Sequence, residues 1–302
     1  MAGGSSPSGE GRYLVVTADD FGRSPSVNRA IAIACDRGVL TAASIVAGGD
    51  AFAEAVDLAA RYPKLSVGLH IMLSDGRPVL PPADTPGLVD TEGRFERSPM
   101  RAGVTYWRLR RSLADQIGAE VKAQFDRVEE AGIQLTHVDC HHHLHMHPLL
   151  FEIIATEAAR RGVAWIRIPR EPLSLVLGLH VPLLDVTAFF TWLVFGLLAD
   201  RNLRVAYRHG LRAADNVYGL SGTGRIDEKY LLALLPYVKG AASEIYLHPD
   251  LGSSPGRGET KGVTSRRVCD RLKTLGLHLV GFKELSGQPL YVRPAYERST
   301  AL

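Results

Sequence analysis

A chain of 302 residues, 46% hydrophobic and 22% charged, has the proportions of a globular protein able to bury one large core or two small ones. Lys plus Arg (35) nearly balances Asp plus Glu (32), and the formal charge of +3 is too even for a nucleic-acid surface. Gly (30) and Pro (17) stay below low-complexity levels, so disorder, collagen and coiled coil are excluded as whole-chain readings.

Residues 1–11 are small and polar with no apolar run, which reads as a disordered tail and not a secretory signal. Tyr13–Thr17 is a short β-rich run. Ser24 and Pro25 then read as an N-cap and first helical residue, and Gly38 as the stop. Ala43–Val46 predicts a second strand, Ala51–Tyr62 a second helix, and Leu65–Met72 a third strand. Residues 74–104, rich in Pro, Gly and Asp, predict a long loop of the kind that often carries function. Tyr106–Ala131 predicts one long amphipathic helix ending at Gly132. Strand Gln134–Asp139, helix Pro148–Arg161 and strand Val163–Ile168 follow.

Further on come helix Asp227–Val238, strand Glu244–Leu247, a helix near Ser265–Leu275 and a last strand, His278–Phe282. This alternation predicts an α/β fold whose roughly seven parallel strands close into a (β/α) barrel, with an open doubly wound sheet as the alternative. One domain over 12–290 is expected, with tails at 1–11 and 291–302 and an apolar insertion at 173–205. Within that insertion the run after Asp185, Val186–Ala199, holds 14 residues against the roughly 20 that span a bilayer. It reads as a buried helix or homodimer interface, or as a lipid-facing patch. Phe189, Phe190, Trp192 and Phe195 cluster in it, and Arg201, Arg204 and Arg208 follow. Cys35, Cys140 and Cys269 are odd in number and widely spaced, which argues against a disulfide framework and for a cytoplasmic setting.

Five histidines crowd into DCHHHLHMHP: His141, His142, His143, His145 and His147. On an extended segment His137, Asp139, His141 and His143 would share one face and Cys140 and His142 the other. Imidazoles beside a carboxylate suit Zn, Fe, Co or Ni, or Mn with more oxygen ligands; a solvated His tract is the plainer alternative. Asp19 and Asp20 follow the first strand directly, as a site or simply as a turn with a helix cap. His70, Arg167 and His248 also stand where apolar strands end, and each alone would more simply be structural. Together with Asp19, Asp20 and His141 they would meet at one rim of a parallel β/α fold. HExxH, GxxxxGK[ST], GxSxG and a strand-following GxGxxG are all missing.

TADDFGRSPSVNRAI, VGLHIML with DGRP, THVDCHHHLHMHP and YLHPD resemble the YdjC-type (ChbG-like) carbohydrate deacetylases over residues 13–285. PREP, GLSGTG and EIYLHP are most similar to the hopanoid-biosynthesis (HpnK-like) branch of that family. Thr17 stands where the family often has Asn. The resemblance implies an irregular β/α barrel with one divalent metal, Zn, Mg, Mn, Co or Ni. It implies Asp20, His70 and His141 as metal ligands, Asp19 as base and His248 as acid, with Arg167 orienting Asp19. The implied reaction is hydrolysis of the N-acetyl group of an amino sugar, with the N-acetylglucosaminyl head group of a hopanoid lipid as the candidate substrate and peripheral contact at the inner membrane face. A non-catalytic metal-sensing barrel and a metal phosphoesterase are the competing readings.

Overall fold

The computed structural model describes residues 12–172, Leu175, Leu179 and 186–287. The expected tails and most of 173–185 lie outside these residues, as do the side chains of Phe189, Phe190 and Trp192.

Eight parallel strands form one sheet: β1 (Arg12–Phe21), β2 (Ala42–Ile45), β3 (Ser66–Ile71), β4 (His137–Cys140), β5 (Trp165–Ile166), β6 (Asn216–Tyr218), β7 (Ala242–Leu247) and β8 (Leu277–Leu279). Seven run in the order β5-β4-β3-β2-β1-β7-β6, and β8 pairs with the start of β1. Bridges from Trp165 to Arg212 and from Arg170 to Val217 tie the β5 edge to the chain around β6. The sheet therefore curls into a barrel, as the alternation of elements predicts, and an irregular one, as the family resemblance implies. Helices α1 (Pro25–Arg37), α2 (Phe52–Arg61), α3 (Pro99–Arg108), α4 (Arg110–Glu130) and α5 (Pro148–Arg160) cover the first half. Helices α6 (Val186–Arg208), α7 (Glu228–Leu234), α8 (Ser254–Val263), α9 (Arg266–Thr274) and α10 (Phe282–Ser286) cover the second.

Side-chain alternation along the strands sorts the interior into layers. At the bottom, Val15, Ala42, Trp165 and Ala242 pack with Phe282 and Leu285 of α10 into an apolar plug. Two residues further along, Thr17, Ser44, Arg167 and Glu244 make a buried polar layer. A Cβ on Gly68 would lie 2.4 Å from the His137 ring, so only glycine lets that imidazole into the barrel. The larger apolar cluster lies between the sheet and the outer helices, where α1, α4 and α5 bury Ile31, Phe125 and Ile154.

Four expectations need correction. The predicted helix Tyr106–Ala131 is two helices broken at Leu109, and α3 already begins at Pro99, capped by Ser98, inside the predicted loop. Helix α8, capped by Ser253, was not expected, because its Gly-rich sequence SPGRGETKGV carries little helical signal. Strand β6, three residues long, shows no periodicity to read. The last strand stops at Leu279 and Phe282 opens α10, which turns its ring into the barrel as the plug.

Candidate active site

The rim at the C-terminal ends of the strands gathers Asp19, Asp20, His70, His141, Arg167 and His248, as their strand-end positions predict. Adjacent residues on a regular strand point to opposite faces, so Asp19 and Asp20 need a local device to share the rim. The register of β1 against β2 shifts between Ala18 and Phe21, and Asp20 takes φ 65°, the left-handed region that side chains rarely adopt. Asn28 steadies this turn: its Oδ1 accepts from Gly22 N (2.8 Å) and its Nδ2 donates to Ala51 O (3.0 Å).

The expected alternation through the histidine tract holds only to Cys140, which is buried in the apolar cluster. From His141 the chain coils into a 3-10 turn through Met146, with His142 at φ 54° and His143 at φ 53°. His141 is thereby left beside Asp20 and His70. His143 swings away to set its ring against Tyr246 at 4.7 Å. His145 Nε2 donates to the Arg167 carbonyl (2.7 Å), a structural bond.

Three atoms converge at the rim. His70 Nε2 and His141 Nδ1 are 3.3 Å apart, and Asp20 Oδ1 lies 3.7 and 3.4 Å from them. Ligand atoms held about 2.0–2.1 Å from a tetrahedral ion sit about 3.3 Å apart, so the spacing fits a metal. Asp20 Oδ1 is buried with no hydrogen-bond partner among the described residues, a costly state that a cation would relieve. His70 Nδ1 donates to Asp139 Oδ1 (2.6 Å), which fixes its tautomer and leaves Nε2 facing the other two ligand atoms. Asp20, His70 and His141 therefore could hold a metal ion. On its other side His141 Nε2 lies 3.2 Å from Arg23 Nη1, a group that can only donate, and 3.7 Å from Asp75 Oδ2.

The charges agree with this geometry. Burial works against an ionised Asp20, but His141, His70 and Arg23 outweigh it and hold the carboxyl below the usual carboxylate range. Burial keeps His141 neutral, down to about 2. Burial also opposes a charged His70, yet Asp139 overrides it and lifts the imidazole to about 9, so a metal must displace a proton there.

Beside this triad lies a saturated ion cluster. Arg167 donates from Nη1 to Asp19 Oδ2 (2.7 Å) and from Nη2 to Asp19 Oδ1 (2.8 Å), a bidentate pair. The same guanidinium reaches Asp139 Oδ2 (2.7 Å) and Glu244 Oε1 (2.8 Å), and Thr17 Oγ1 donates to Glu244 (2.8 Å). Burial raises the Glu244 carboxyl and Arg167 only partly offsets it. His248 Nε2 stands 3.9 Å from Asp19 Oδ2, on the solvent side. Asp19, Asp20, His141 and His248 line a cavity of about 700 Å³, large enough for a sugar.

Sequence reasoning missed Glu244, Asp139 as the partner of His70, and Arg23. Glu244 and Tyr246 on β7 and His248 just past its end recur every second residue, so one inward face carrying a carboxylate was there to be seen. Arg23 and Asp75 sit on loops with no periodicity to mark them. PREP and GLSGTG turn out to be one device. Glu171 accepts from Gly219 N (2.8 Å), Ser221 N (3.1 Å) and Ser221 Oγ, and so pins the loop whose Leu220 and Thr223 line the cavity.

Fold and site together define a (β/α) barrel whose strand-end carboxylates and imidazoles could hold a metal ion beside a sugar-sized cavity. The chain belongs to the YdjC-like protein family, whose model matches residues 13–279. It is 41% identical over 141 residues to a carbohydrate deacetylase of Brevibacillus brevis, covering 47% of this chain and 53% of that one. It is 37% identical over 199 residues to a carbohydrate deacetylase of Geobacillus stearothermophilus, covering 66% and 75%. The match thus spans about half the length of the first relative and three quarters of the second. A crystal structure from Enterococcus faecalis V583, described as a cellobiose-phosphate cleavage protein, superposes with a TM-score of 0.72 at 22% identity, covering 91% of this chain and 99% of the other. That likeness concerns the fold alone.

Proposed function

We propose that this protein is a metal-dependent carbohydrate N-deacetylase, which hydrolyses the N-acetyl group of an amino sugar to acetate and a free amine. The observation that carries this reading is the convergence of Asp20 Oδ1, His70 Nε2 and His141 Nδ1 beside the Asp19 carboxylate in a sugar-sized cavity. Relatives named carbohydrate deacetylase support it. A divalent metal on that triad, Zn, Mg, Mn, Co or Ni, supplies Lewis acidity toward the acetyl oxygen and the attacking water.

The chain's own residues do the rest. Asp19 takes the proton from water, and its bidentate pair with Arg167 holds both oxygens in place. His248, which lines the same cavity with Nε2 3.9 Å from Asp19 Oδ2, returns a proton to the departing amine nitrogen. Asp139 orients His70. As the finer reading we infer that the sugar is an N-acetylglucosaminyl head group carried on a hopanoid lipid, supported by the likeness of PREP and GLSGTG to that branch. Acetate release from N-acetylglucosaminyl compounds, with chelator and with each metal restored, tests the activity. Release unaffected by chelation, or none with any metal, would overturn it. A hopanoid-linked substrate turned over faster than the free sugar would support the finer reading.

A further inference from the structure

We propose that the protein docks on an anionic lipid bilayer through the edge of its active-site cavity, using an exposed apolar stripe on α3 and the arginines around it. This names a partner surface for the lipid-linked substrate proposed above and rests on that reading for its purpose, while the docking is read from the surface itself.

Eight large apolar side chains are exposed among the described residues, and seven of them lie on α3, at its junction with α4, or on α6. Both helices border the cavity, through Pro99 and Phe195, and both pack against the 3-10 turn that carries His141. The apolar surface is therefore gathered around the mouth of the site and not scattered over the molecule.

Helix α3 has two apolar faces. Ala102 and Tyr106, four residues apart, face the core. Met100 (75% exposed), Val104 (53%) and Trp107 (53%) recur at i, i+4 and i+7 and form a second stripe facing solvent. Leu109 continues it at the junction. The stripe stays largely exposed among the described residues, although Trp107 also sets its ring edge-on to His147 at 5.7 Å. Helix α6 adds Leu193, Val194 and Leu197.

The charge around the stripe is of one sign. From residue 97 to 114 there are five arginines, Arg97, Arg101, Arg108, Arg110 and Arg111, and no Asp or Glu. Arg101 and Arg108 flank the stripe on the same side and make no ion pair among the described residues. Arg110 lies over the Trp107 ring at 5.5 Å. A protein partner would take the apolar stripe and leave these cations to be matched one by one. A bilayer with acidic head groups accepts both at once: the stripe enters the interface and the guanidinium groups meet phosphate. No helix among the described residues is long and apolar enough to cross a membrane, so the contact is a surface one.

The test is co-sedimentation of the full chain with vesicles of phosphatidylcholine alone or mixed with phosphatidylglycerol. Wild type pellets with the mixed vesicles, weakly with neutral ones, and less as salt is raised. Met100→Ser with Trp107→Ser lowers partitioning by about tenfold or more, and Arg101→Glu with Arg108→Glu does the same by the charge route. The arginine pair keeps the test open should the apolar pair fail to fold, since both side chains are exposed. Acetate release from a short free chitooligosaccharide without vesicles stays unchanged in both variants, which separates docking from the deacetylase reading. Wild type that ignores acidic vesicles, or binds them equally well in both double variants, overturns the proposal. A dimer that Trp107→Ser converts to monomer also overturns it, by assigning the stripe to a second copy of the chain.

Discussion

Two charged clusters share the barrel rim, and they differ in how far the protein satisfies them. Around Arg167, the carboxylates of Asp19, Asp139 and Glu244 are each met by the guanidinium, with Thr17 and Ser44 closing further bonds. Around Asp20, one buried oxygen has no partner and two imidazole nitrogens face each other across 3.3 Å. The saturated cluster is therefore a fixed frame, and the incomplete one could hold a cation. The two are coupled through Asp139, which touches Arg167 with one oxygen and His70 with the other. Asp19 belongs to the frame by its bonds and, in the proposed mechanism, to the chemistry by its place on the cavity wall.

The sharpest way to break this comparison is to separate base from ligand. Asp19→Asn should lower turnover on the order of 10²–10⁴-fold while bound metal, read by elemental analysis, is kept. His141→Ala should do the reverse, losing metal while the fold persists by circular dichroism. Metal retained in His141→Ala, or near-normal turnover in Asp19→Asn, would mean that the roles are wrongly divided.

The frame itself is tested by Arg167→Met. Removing this buried guanidinium takes the shared cation from Asp19, Asp139 and Glu244, and stability should fall by roughly 3–5 kcal/mol in urea denaturation. A variant as stable as wild type would show that the cluster is not the frame described. Asp139→Asn is the finer cut between the clusters. It weakens the hold on His70 while keeping an amide oxygen for that bond, so metal affinity should drop by about 10–100-fold in a competition with chelator.

Much of the rim was legible because the chain writes it at strand ends. ADD, LH, DCH, IR and LH each close an apolar run, and a parallel barrel must bring such ends together. What was not legible depends on backbone departures from regular periodicity. The bulge at Asp20 and the consecutive left-handed residues His142 and His143 decide which histidine meets which carboxylate. Alternation alone would have put His143 beside His141 on one face. Helix α3 was hidden for a different reason: its opening turn lies in a Pro- and Gly-rich stretch, and its outer stripe mimics the amphipathic pattern of a core-facing one.

The smallest expected effect concerns His137, which sits below the frame. Its ring is stacked on Phe282 at 4.2 Å, with Nε2 3.1 Å from Ser44 Oγ and Nδ1 2.9 Å from Thr136 Oγ1. Burial lowers this imidazole to about 3, helped by the Arg167 charge and opposed by Asp139. The folded pKa is thus depressed below the ordinary 6.5, so the neutral ring contributes stability above about pH 6.5 that is lost as pH falls toward 3. The unfolded chain takes up a proton that the folded one refuses, and the loss is about 1.4 kcal/mol for each pH unit in that window. Other acid-labile groups, the proposed metal ligands among them, add to the total slope in the wild type. The difference between wild type and His137→Gln removes them, since both proteins share those groups. Urea midpoints measured between pH 4.5 and 7.5, roughly across that window, should fall less steeply in His137→Gln, by about one proton. Parallel curves would mean that His137 titrates normally in the folded protein and that the polar layer beneath the rim is open to water.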